Sequence, residues 1–442
     1  MQINIFKEIS LTILAIFIIF YLACDKEEKE KKIDFTLSDP LFSLQVSTPQ
    51  TITANKEISS ITLNDPSVAE ISFQGLEITI TPKFIGTVTI TATDIYGEKA
   101  ACFLTIEDDS KILYTSIADD EYDEEIWTMN GDGSNQIRLT NNSNHDNTMA
   151  WSPDQTMITF VRYDQVATAD SDLNAETPVY QIYTMQTDGS NEKQLTSTGT
   201  NVNPKWSPNG NQILFSSYRD GEINIFIMDI DGSNTKQLTQ NYSSYSYPEQ
   251  PKWLPSDGKI IFIQLGNIYL MNIENYNQEN LTSRTNYDNY YFFNSIISPD
   301  GSKILAHYQE INSYTYNLSL MDIDGSNLIV LASYDNSAEK DFYYFNPAWS
   351  PDSSQIAYST SENDLAEDIF IVRSDGTNKH NITEDYPNSF ERDPSWSLDG
   401  SRIVFRSNRD GETSQLYIMK ADGSKATKLS TSGSAYRPMW FR

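Results

Sequence analysis

Side chains that could act on a substrate are sparse in this sequence. Its three histidines, His145, His307 and His380, are the residues that could bind a metal ion or transfer a proton near neutral pH. They occupy different positions of the repeat described below, so we do not expect them to converge on one ion. The motifs GxSxG and HExxH, the P-loop and the glycine-rich dinucleotide fingerprint are absent. The sequence predicts a protein without catalysis, cofactor or bound metal.

Aspartates recur in short turns, which superficially suggests calcium binding. The segment Asp229–Gly232 is one example, but it lacks the glutamate that ends a twelve-residue calcium loop. The same turn recurs along the chain as ordinary hairpin chemistry. We therefore interpret these aspartates as turn formers, and the sequence leaves open whether any cation is bound.

The histidines and the aspartate turns lie within a sequence repeat. Seven times, a methionine or valine is followed ten positions later by leucine or isoleucine. The pairs are Met129 and Leu139, Met185 and Leu195, Met228 and Leu238, Met271 and Leu281, Met321 and Leu331, Val372 and Ile382, and Met419 and Leu429. Between the members of most pairs lies a DGS or DGT turn, in which glycine supplies the positive φ of a tight hairpin. The fourth repeat has Glu274, Asn275 and Tyr276 instead, and we expect Asn275 to adopt that left-handed conformation.

Each repeat predicts four short strands, a to d, of which strand a carries tryptophan and leads into a WSPD-type turn. Six units are contiguous. The seventh is split, because KILYTS, EIWTM and IRLT near residues 111–140 supply strands b to d, whereas RPMWFR supplies strand a. Pairing them closes a ring and removes an exposed edge. The predicted fold is all-β, a seven-bladed β-propeller of four-stranded antiparallel blades over residues 109–442.

The pattern PxWSPDG, IxFxS, RDG, IYxMD, DGSN and LT, visible at 204–239 and 394–430, resembles the repeat of TolB-like (WD40-like) propellers. The resemblance implies the propeller fold, and it suggests a scaffold subunit of an envelope complex as one alternative function. Fold alone does not specify activity. Oligogalacturonate-type polysaccharide lyases also use a seven-bladed propeller, with a histidine-bound metal, and are the enzymatic alternative.

Residues 1–32 predict export. Lys7 precedes an apolar stretch, Leu11–Ala23, that is too short to cross a bilayer comfortably. Residues 1–23 are interpreted as a signal peptide, and Leu-Ala-Cys ending at Cys24 resembles the bacterial lipobox. Residues 24–32 form a charged tether. We expect a lipid anchor on Cys24 in the outer membrane, with the protein facing the periplasm or the cell surface.

Residues 33–108 contain short β-branched runs separated by turns, which predict a small β-sandwich. Alternation predicts that Leu76, Ile78 and Ile80 share its buried face. Cys102 is expected to be a buried thiol. The stretch from ITLNDPSVAEIS onward resembles bacterial immunoglobulin-like (group 2) domains, which implies a spacer.

Loops of variable length share one face of the predicted ring, the face that carries the d–a and b–c connections. The d–a loops there are rich in aromatic and acidic side chains suited to binding sugars or peptides. The candidate ligand-binding residues are Asp146, Tyr245, Tyr247, Glu249, Tyr290, Tyr291, Phe292, Tyr343, Tyr344, Glu391, Asp393, Tyr436 and Arg437. The expected partner is an envelope protein or a glycan, and the chain itself is expected to be a monomer.

The net charge of the chain limits the classes of molecule that it can bind. Acidic residues outnumber basic ones 61 to 31, a net charge of −30. Such a surface repels the phosphates of nucleic acids and anionic lipid head groups. We exclude nucleic acid as a partner and expect membrane contact through the lipid anchor alone.

The anchor can be tested by labelling cells with radioactive palmitate. The wild type and Cys102→Ala, which removes the only other cysteine, are expected to carry label, whereas Cys24→Ala is expected to lose it. Unchanged labelling of Cys24→Ala would refute the anchor.

Overall fold

The computed structural model describes most of the chain from residue 36 onward. The described residues are 36–37, 41–45, 50–66, 69–82, 86–107, 110–118, 123–164, 179–219, 221–240, 249–256, 258–282, 289–335, 345–361, 367–386, 388–411, 413–430 and 433–441. They divide into two compact units that meet in sequence near residue 107. None of the described residues belongs to a helix that is long and apolar enough to span a bilayer. The predicted signal peptide, Cys24 and the tether lie outside the described residues.

The first unit contains two β-sheets. Its strands are β1 (Leu41–Gln45), β2 (Gln50–Thr53), β3 (Ile58–Leu63), β4 (Ala69–Gln74), β5 (Glu77–Pro82), β6 (Gly86–Asp94) and β7 (Lys99–Glu107). One sheet has the order β1-β7-β6-β3 and the other β2-β5-β4. Alternate residues such as Ile90 and Cys102 are fully buried, which gives the unit a core of β-branched and small apolar side chains.

The predicted burial of this unit is right at two positions of three. Ile78 and Ile80 are fully buried, but Leu76 is 46% exposed. The reason is the register, because Gln74 pairs with Glu77 and leaves Leu76 in the two-residue turn between β4 and β5. A turn residue does not share the alternation of the strand that follows it.

The second unit consists of four-stranded antiparallel sheets, which we call blades. Blade 1 contains β8 (Lys111–Ile117), β9 (Glu125–Asn130), β10 (Ile137–Arg138) and β35 (Ser434–Phe441). Blade 2 contains β11 (Asp146–Trp151), β12 (Met157–Asp164), β13 (Val179–Gln186) and β14 (Lys193–Gln194). Blade 3 contains β15 (Thr200–Trp206), β16 (Gln212–Arg219), β17 (Glu222–Asp229) and β18 (Lys236–Gln237). Blade 4 contains β19 (Glu249–Trp253), β20 (Lys259–Gln264), β21 (Asn267–Asn272) and β22 (Gln278–Asn280).

The remaining blades follow the same plan. Blade 5 contains β23 (Tyr290–Ile297), β24 (Lys303–Glu310), β25 (Thr315–Asp322) and β26 (Ile329–Asp335). Blade 6 contains β27 (Ala348–Trp349), β28 (Gln355–Thr360), β29 (Asp368–Arg373) and β30 (His380–Asn381), and blade 7 contains β31 (Glu391–Trp396), β32 (Arg402–Ser407), β33 (Gln415–Lys420) and β34 (Thr427–Lys428). Within each blade, strands a to d are hydrogen-bonded in that order.

The carboxyl-terminal strand completes the blade that begins at residue 111, as the split repeat predicts. Strand β35 pairs with β8, with Ala435 opposite Ser116 and Trp440 opposite Ile112. The a strands of neighbouring blades contact one another along β11, β15, β19 and β23, and again along β27, β31 and β35. Strand a is therefore the innermost strand, and its side chains border the central channel of the propeller.

The glycine of the c–d turn makes a close contact between neighbouring blades. A Cβ on Gly232 would lie 2.9 Å from the carbonyl oxygen of Leu195 in the preceding blade, and one on Gly189 would lie 2.9 Å from that of Leu139. A Cβ on Gly133 of blade 1 would lie 2.9 Å from a side-chain carbon of Leu429 in blade 7. At these three interfaces, the leucine that follows the methionine by ten residues contacts the turn glycine of the next blade.

The fourth repeat differs from the prediction. Asn275 is not among the residues with positive φ, and the left-handed residue of that turn is Tyr276, with φ of 60°. The Tyr276 N–H donates to the carbonyl of Asn272 over 2.9 Å, which makes a wider turn than the DGS type. The shift of one residue explains why asparagine is not required there.

Steric contact and backbone strain can be separated by two alanine substitutions. Gly423→Ala would bring a Cβ to 2.6 Å from the Ile382 carbonyl oxygen, whereas Gly221, at a similar positive φ, has nothing within 4 Å. Both variants incur left-handed strain, so Gly423→Ala should lose about 1–3 kcal/mol more stability than Gly221→Ala. Urea denaturation measures this difference, and equal losses would contradict the role of the interblade contact.

Candidate functional site

Seven polar side chains border the channel at one level. Each lies three residues before the tryptophan of its a strand, or before Ile297, which replaces the tryptophan in blade 5. We call this set the polar ring: Thr148, Asn203, Gln250, Asn294, Asn346, Asp393 and Arg437. Arg437 is exposed and the other six are half-buried, as expected for side chains at the wall of a channel.

A bulge in the inner strands produces this ring. In blade 3, Val202 pairs with Ser216 and Lys205 with Leu214, so that Asn203 and Pro204 together face Phe215. The same register shift occurs in blades 1, 2, 4 and 7. Proline, which has no N–H for the ladder, occupies the bulge in four of these strands. These prolines are Pro204, Pro251, Pro394 and Pro438, and Pro347 holds the equivalent position immediately before β27.

The ring residues are conformationally strained. Six of them have positive φ, between 39° for Asn346 and 56° for Asn203. Asn294 does not, because the bulge of β23 falls earlier, between Phe292 and Asn294. Each left-handed residue other than glycine costs about 1–3 kcal/mol, and such strain concentrates at functional sites. The polar ring is therefore the best candidate for a binding surface.

On the side of blades 6, 7 and 1, the ring residues are linked by charged contacts. The Asn346 side-chain N–H donates to Asp393 over 2.6 Å, and Arg406 lies 2.9 Å from the other Asp393 oxygen. Arg437 forms an ion pair with Glu124. Opposite charges at these distances neutralise each other, so this side of the channel is polar without a large excess of either charge.

Two carboxylates that the sequence places on the rim lie inside blades. Asp146 is fully buried and accepts two hydrogen bonds from Arg162, at 2.7 and 2.8 Å. Glu391 is also fully buried and accepts one from Arg409 at 2.8 Å. Burial alone would lower the pKa of Arg162, but its hydrogen bonds to Asp146 and Glu192 raise it. The contacts of both carboxylates are structural.

The predicted aromatic residues differ in exposure. Tyr291 is 52% exposed and packs on Gly266, where a Cβ would lie 2.5 Å from its ring. Tyr290 is half-buried against Tyr308, with ring centroids 4.5 Å apart. Phe292 is fully buried in the core, which corrects its assignment to the rim.

The remaining candidates lie at the ring or outside the description. Tyr436 is half-buried beside the Arg406 guanidinium, 5.2 Å from the ring centroid, and Asp393 and Arg437 belong to the polar ring. Tyr245, Tyr247, Tyr343, Tyr344 and the side chain of Glu249 lie outside the described residues.

Sequence reasoning missed two basic groups of the inner strands. Lys205 and Lys252 directly precede tryptophans on the adjacent strands β15 and β19. Burial lowers the pKa of Lys205, and burial together with the charge of Lys205 lowers that of Lys252 from 10.5 to about 7. Aligning the repeats on their tryptophans would have placed both lysines at one level of the channel.

The histidines occupy separate places, as the sequence predicts. His145 lies beside Asp123 between blades 1 and 2, His307 is in strand b of blade 5, and His380 is in the outermost strand of blade 6. Within the described ranges, no group of three or more histidine, cysteine, aspartate or glutamate side chains could hold a metal ion.

A cleft of about 770 Å³ opens on the opposite face, between blades 3 and 4. Turn residues such as Pro208 and Asn209 form one wall, and Trp253 and Lys259 belong to the other. This face carries the short a–b and c–d turns. Its uniform turns distinguish it from the face of variable loops.

The inner strands, bulges and closed ring define a β-propeller, and comparison with known proteins identifies its kind. The family model described as the TolB beta propeller domain matches residues 164–341 and 332–441, more than half of the chain. The chain therefore belongs to the TolB β-propeller domain family. A comparison with curated proteins gave no match.

Solved structures share the fold at low sequence identity. TolB from Acinetobacter baumannii is 18% identical with a TM-score of 0.48, covering 84% of this chain and 81% of that one. An oligogalacturonate lyase in complex with manganese is 11% identical with a TM-score of 0.50, covering 82% and 97%. The β-propeller domain of the Trilobed protease from Pyrococcus furiosus is 14% identical with a TM-score of 0.47, covering 83% and 99%. At these identities the likeness is one of fold alone.

The structural role of Asp146 predicts a loss of stability on substitution. Asp146→Ala should lower the free energy of unfolding by about 3 kcal/mol, because it leaves the guanidinium of Arg162 largely buried with one partner fewer. Glu192→Ala removes a partner whose side chain is 38% exposed and should cost less than about 1 kcal/mol. Urea denaturation of both variants measures this, and a small effect of Asp146→Ala would instead favour a role in binding.

Proposed function

We propose that this chain is an exported, lipid-anchored binding protein of the cell envelope that captures a protein or glycan without catalysis. The observation that carries the proposal is the polar ring, in which the strands hold six residues in left-handed strain around one channel mouth. Membership of the TolB β-propeller family is compatible with binding, although the fold hosts several functions.

The chemistry of the mouth supports a polar ligand. Asp393 and the asparagines of the ring offer charged and amide groups in a half-buried setting, where hydrogen bonds are stronger than in bulk water. Arg437 adds an exposed guanidinium. Tyr291 adds an exposed aromatic surface that can stack on a sugar ring or pack on a peptide. A scaffold subunit of an envelope complex would use the same surface with a permanent protein partner.

Site-specific photo-crosslinking in intact cells tests the proposed binding face. A photoreactive phenylalanine analogue at Tyr291 is expected to give a discrete adduct, because that side chain is exposed beside the b–c turn of blade 4, on the face of the variable loops. The matched control is Tyr276, a tyrosine 36% exposed in a c–d turn of the opposite face, which is expected to give none. The adduct at position 291 should weaken at least threefold in Arg437→Ala, which removes a charged group of the mouth.

The outcomes separate the alternatives. One stoichiometric protein adduct favours a scaffold subunit. Binding of the wild-type protein to immobilised envelope glycan favours a protein that captures a glycan. Equal adducts at positions 291 and 276, or no effect of Arg437→Ala, would contradict the proposed face. Unsaturated products released from acidic polysaccharides by the purified chain would establish the lyase alternative and remove the non-catalytic assignment.

A further inference from the structure

Two lysines lie side by side in the channel wall. Lys205 and Lys252 hold equivalent positions, one residue before the tryptophan, on the neighbouring strands β15 and β19. The indole N–H of Trp253 donates to the carbonyl of Lys205 over 3.2 Å, which ties the backbone of one lysine to the residue after the other. The inner strands therefore hold the two lysines close enough for the charge of Lys205 to act on Lys252.

These lysines have no described counter-charge. Among the described residues, neither Lys205 nor Lys252 forms an ion pair, although the chain carries 30 more acidic than basic residues. The equivalent positions of the other blades are uncharged, namely Ala150, Ile296, Ala348, Ser395 and Met439. Two half-buried cations without an anion repel each other and are poorly solvated, so the arrangement is incomplete as it stands.

A buried histidine provides a second, independent sign of a ligand. His307 is 2% exposed, and neither of its ring nitrogens has a hydrogen-bond partner in the described part of the chain. Its ring lies 5.8 Å from those of Phe293 and Phe345, and the charge of Lys252 reaches it. The register partner of His307, Asn294, also has a buried side-chain oxygen without a described partner. Each unpaired buried polar group of a folded protein requires an explanation, and a bound ion or ligand is one that fits a histidine beside two lysines.

We propose that Lys205 and Lys252, with His307 beside them, form an anion site in the channel that binds a single carboxylate group. This inference goes beyond the proposed function, because it concerns residues outside the polar ring and specifies the chemistry of the group bound. The two lysines neutralise the carboxylate, and the neutral imidazole can donate one N–H.

The net charge of −30 favours a carboxylate over a phosphate monoester. Repulsion by the protein's negative field grows with the charge of the ligand, so a singly charged carboxylate is repelled less than a phosphate monoester, which carries about −1.5 to −2. Burial, together with the charge of Lys205, lowers the pKa of Lys252 to about 7, so a bound anion favours its protonated form.

The surroundings of Lys252 support this titration. Strands β15, β16, β17, β20 and β23 pack against β19, and of their charged or titratable groups the charge of Lys205 is the one that acts on Lys252. The others on those strands are Tyr218, Arg219, Glu222, Asp229, Lys259, Tyr290 and Tyr291.

Anion binding favours the protonated form of Lys252. Binding above pH 7 must therefore take up a proton, and the affinity for the anion must fall as the pH rises.

Calorimetric titration of the purified full chain tests the site with paired probes. N-acetylglycine is compared with N-acetylglycinamide, and D-glucuronate with D-glucose, so that each pair differs in one carboxylate and the two pairs distinguish a peptide-like source from a sugar source. Inorganic phosphate is the third arm. We expect the carboxylate member of at least one pair to bind, with proton uptake at pH 7.5 and tighter binding at pH 6.5 than at pH 8.5.

Substitutions of the two lysines test whether they bind the carboxylate. Lys205→Met and Lys252→Met should each weaken binding about tenfold, which is the effect of losing a charged hydrogen-bond partner. Lys252→Met should also abolish proton uptake, and Lys252→Arg should retain binding without it. Lys193→Met, on an exposed edge strand, is the matched control and should change nothing. Thermal unfolding of each variant shows whether it is folded.

Four results would overturn the site: equal affinity for the charged and neutral member of both pairs, unchanged affinity in folded Lys205→Met and Lys252→Met, tighter binding of phosphate than of either carboxylate, or no binding of any probe. None of them bears on the crosslink at Tyr291, so failure of this site and failure of the proposed binding face are distinguishable.

Discussion

The close approach of the c–d turns to the preceding blade, within 3.0 Å of a Cβ position at five of the turn glycines, is the constraint on which the ring depends. Gly189, Gly232 and Gly423 each leave too little room for a Cβ beside the leucine or isoleucine of the neighbouring blade. Gly133 makes the same contact across the closure, against Leu429. Because glycine also supplies the positive φ of the turn, one residue type satisfies the turn and the interface together. The ten-residue spacing of methionine and leucine in the sequence therefore reflects this interface between blades.

The contact of the c–d turns with the neighbouring blade does not restrict the sequence of the inner strands. Hydrophobic side chains of strands b and c, such as the stacked Phe215 and Phe226, 5.7 Å apart, form the cores between the blades. Strand a departs from regular pairing at the bulge and then contributes its tryptophan to these cores. Proline stabilises that departure because it cannot join the ladder. The stable outer part of each blade thus offsets the strain of a polar, left-handed inner residue such as Asn203.

The repeat made the fold predictable, because Met and Leu spacing, DGS turns and WSPD turns reflect local chemistry that one sequence displays. Details that depend on register were not predictable in the same way. The alternation predicts Leu76 on the buried face of a strand, but it lies in a turn. The turn chemistry predicts a left-handed Asn275, but Tyr276 adopts that conformation. At the candidate site, the sequence of the d–a loops predicts Asp393 and Arg437 as binding residues. It predicts Asp146 equally, because the ion pair that buries Asp146 with Arg162 is a tertiary contact without a local sequence pattern.

The channel wall has two electrostatic halves, and the difference between them bears on function. Near blades 6, 7 and 1 the charges are satisfied internally, as for Asp393 with Arg406, and internal pairing specifies geometry. Near blades 3 to 5, Lys205 and Lys252 carry positive charge that no described side chain neutralises. On an exterior surface such lysines would serve solubility. Within the channel of a protein with a net charge of −30, they repel each other and gain little hydration, so an anion is the partner that electrostatics favours there.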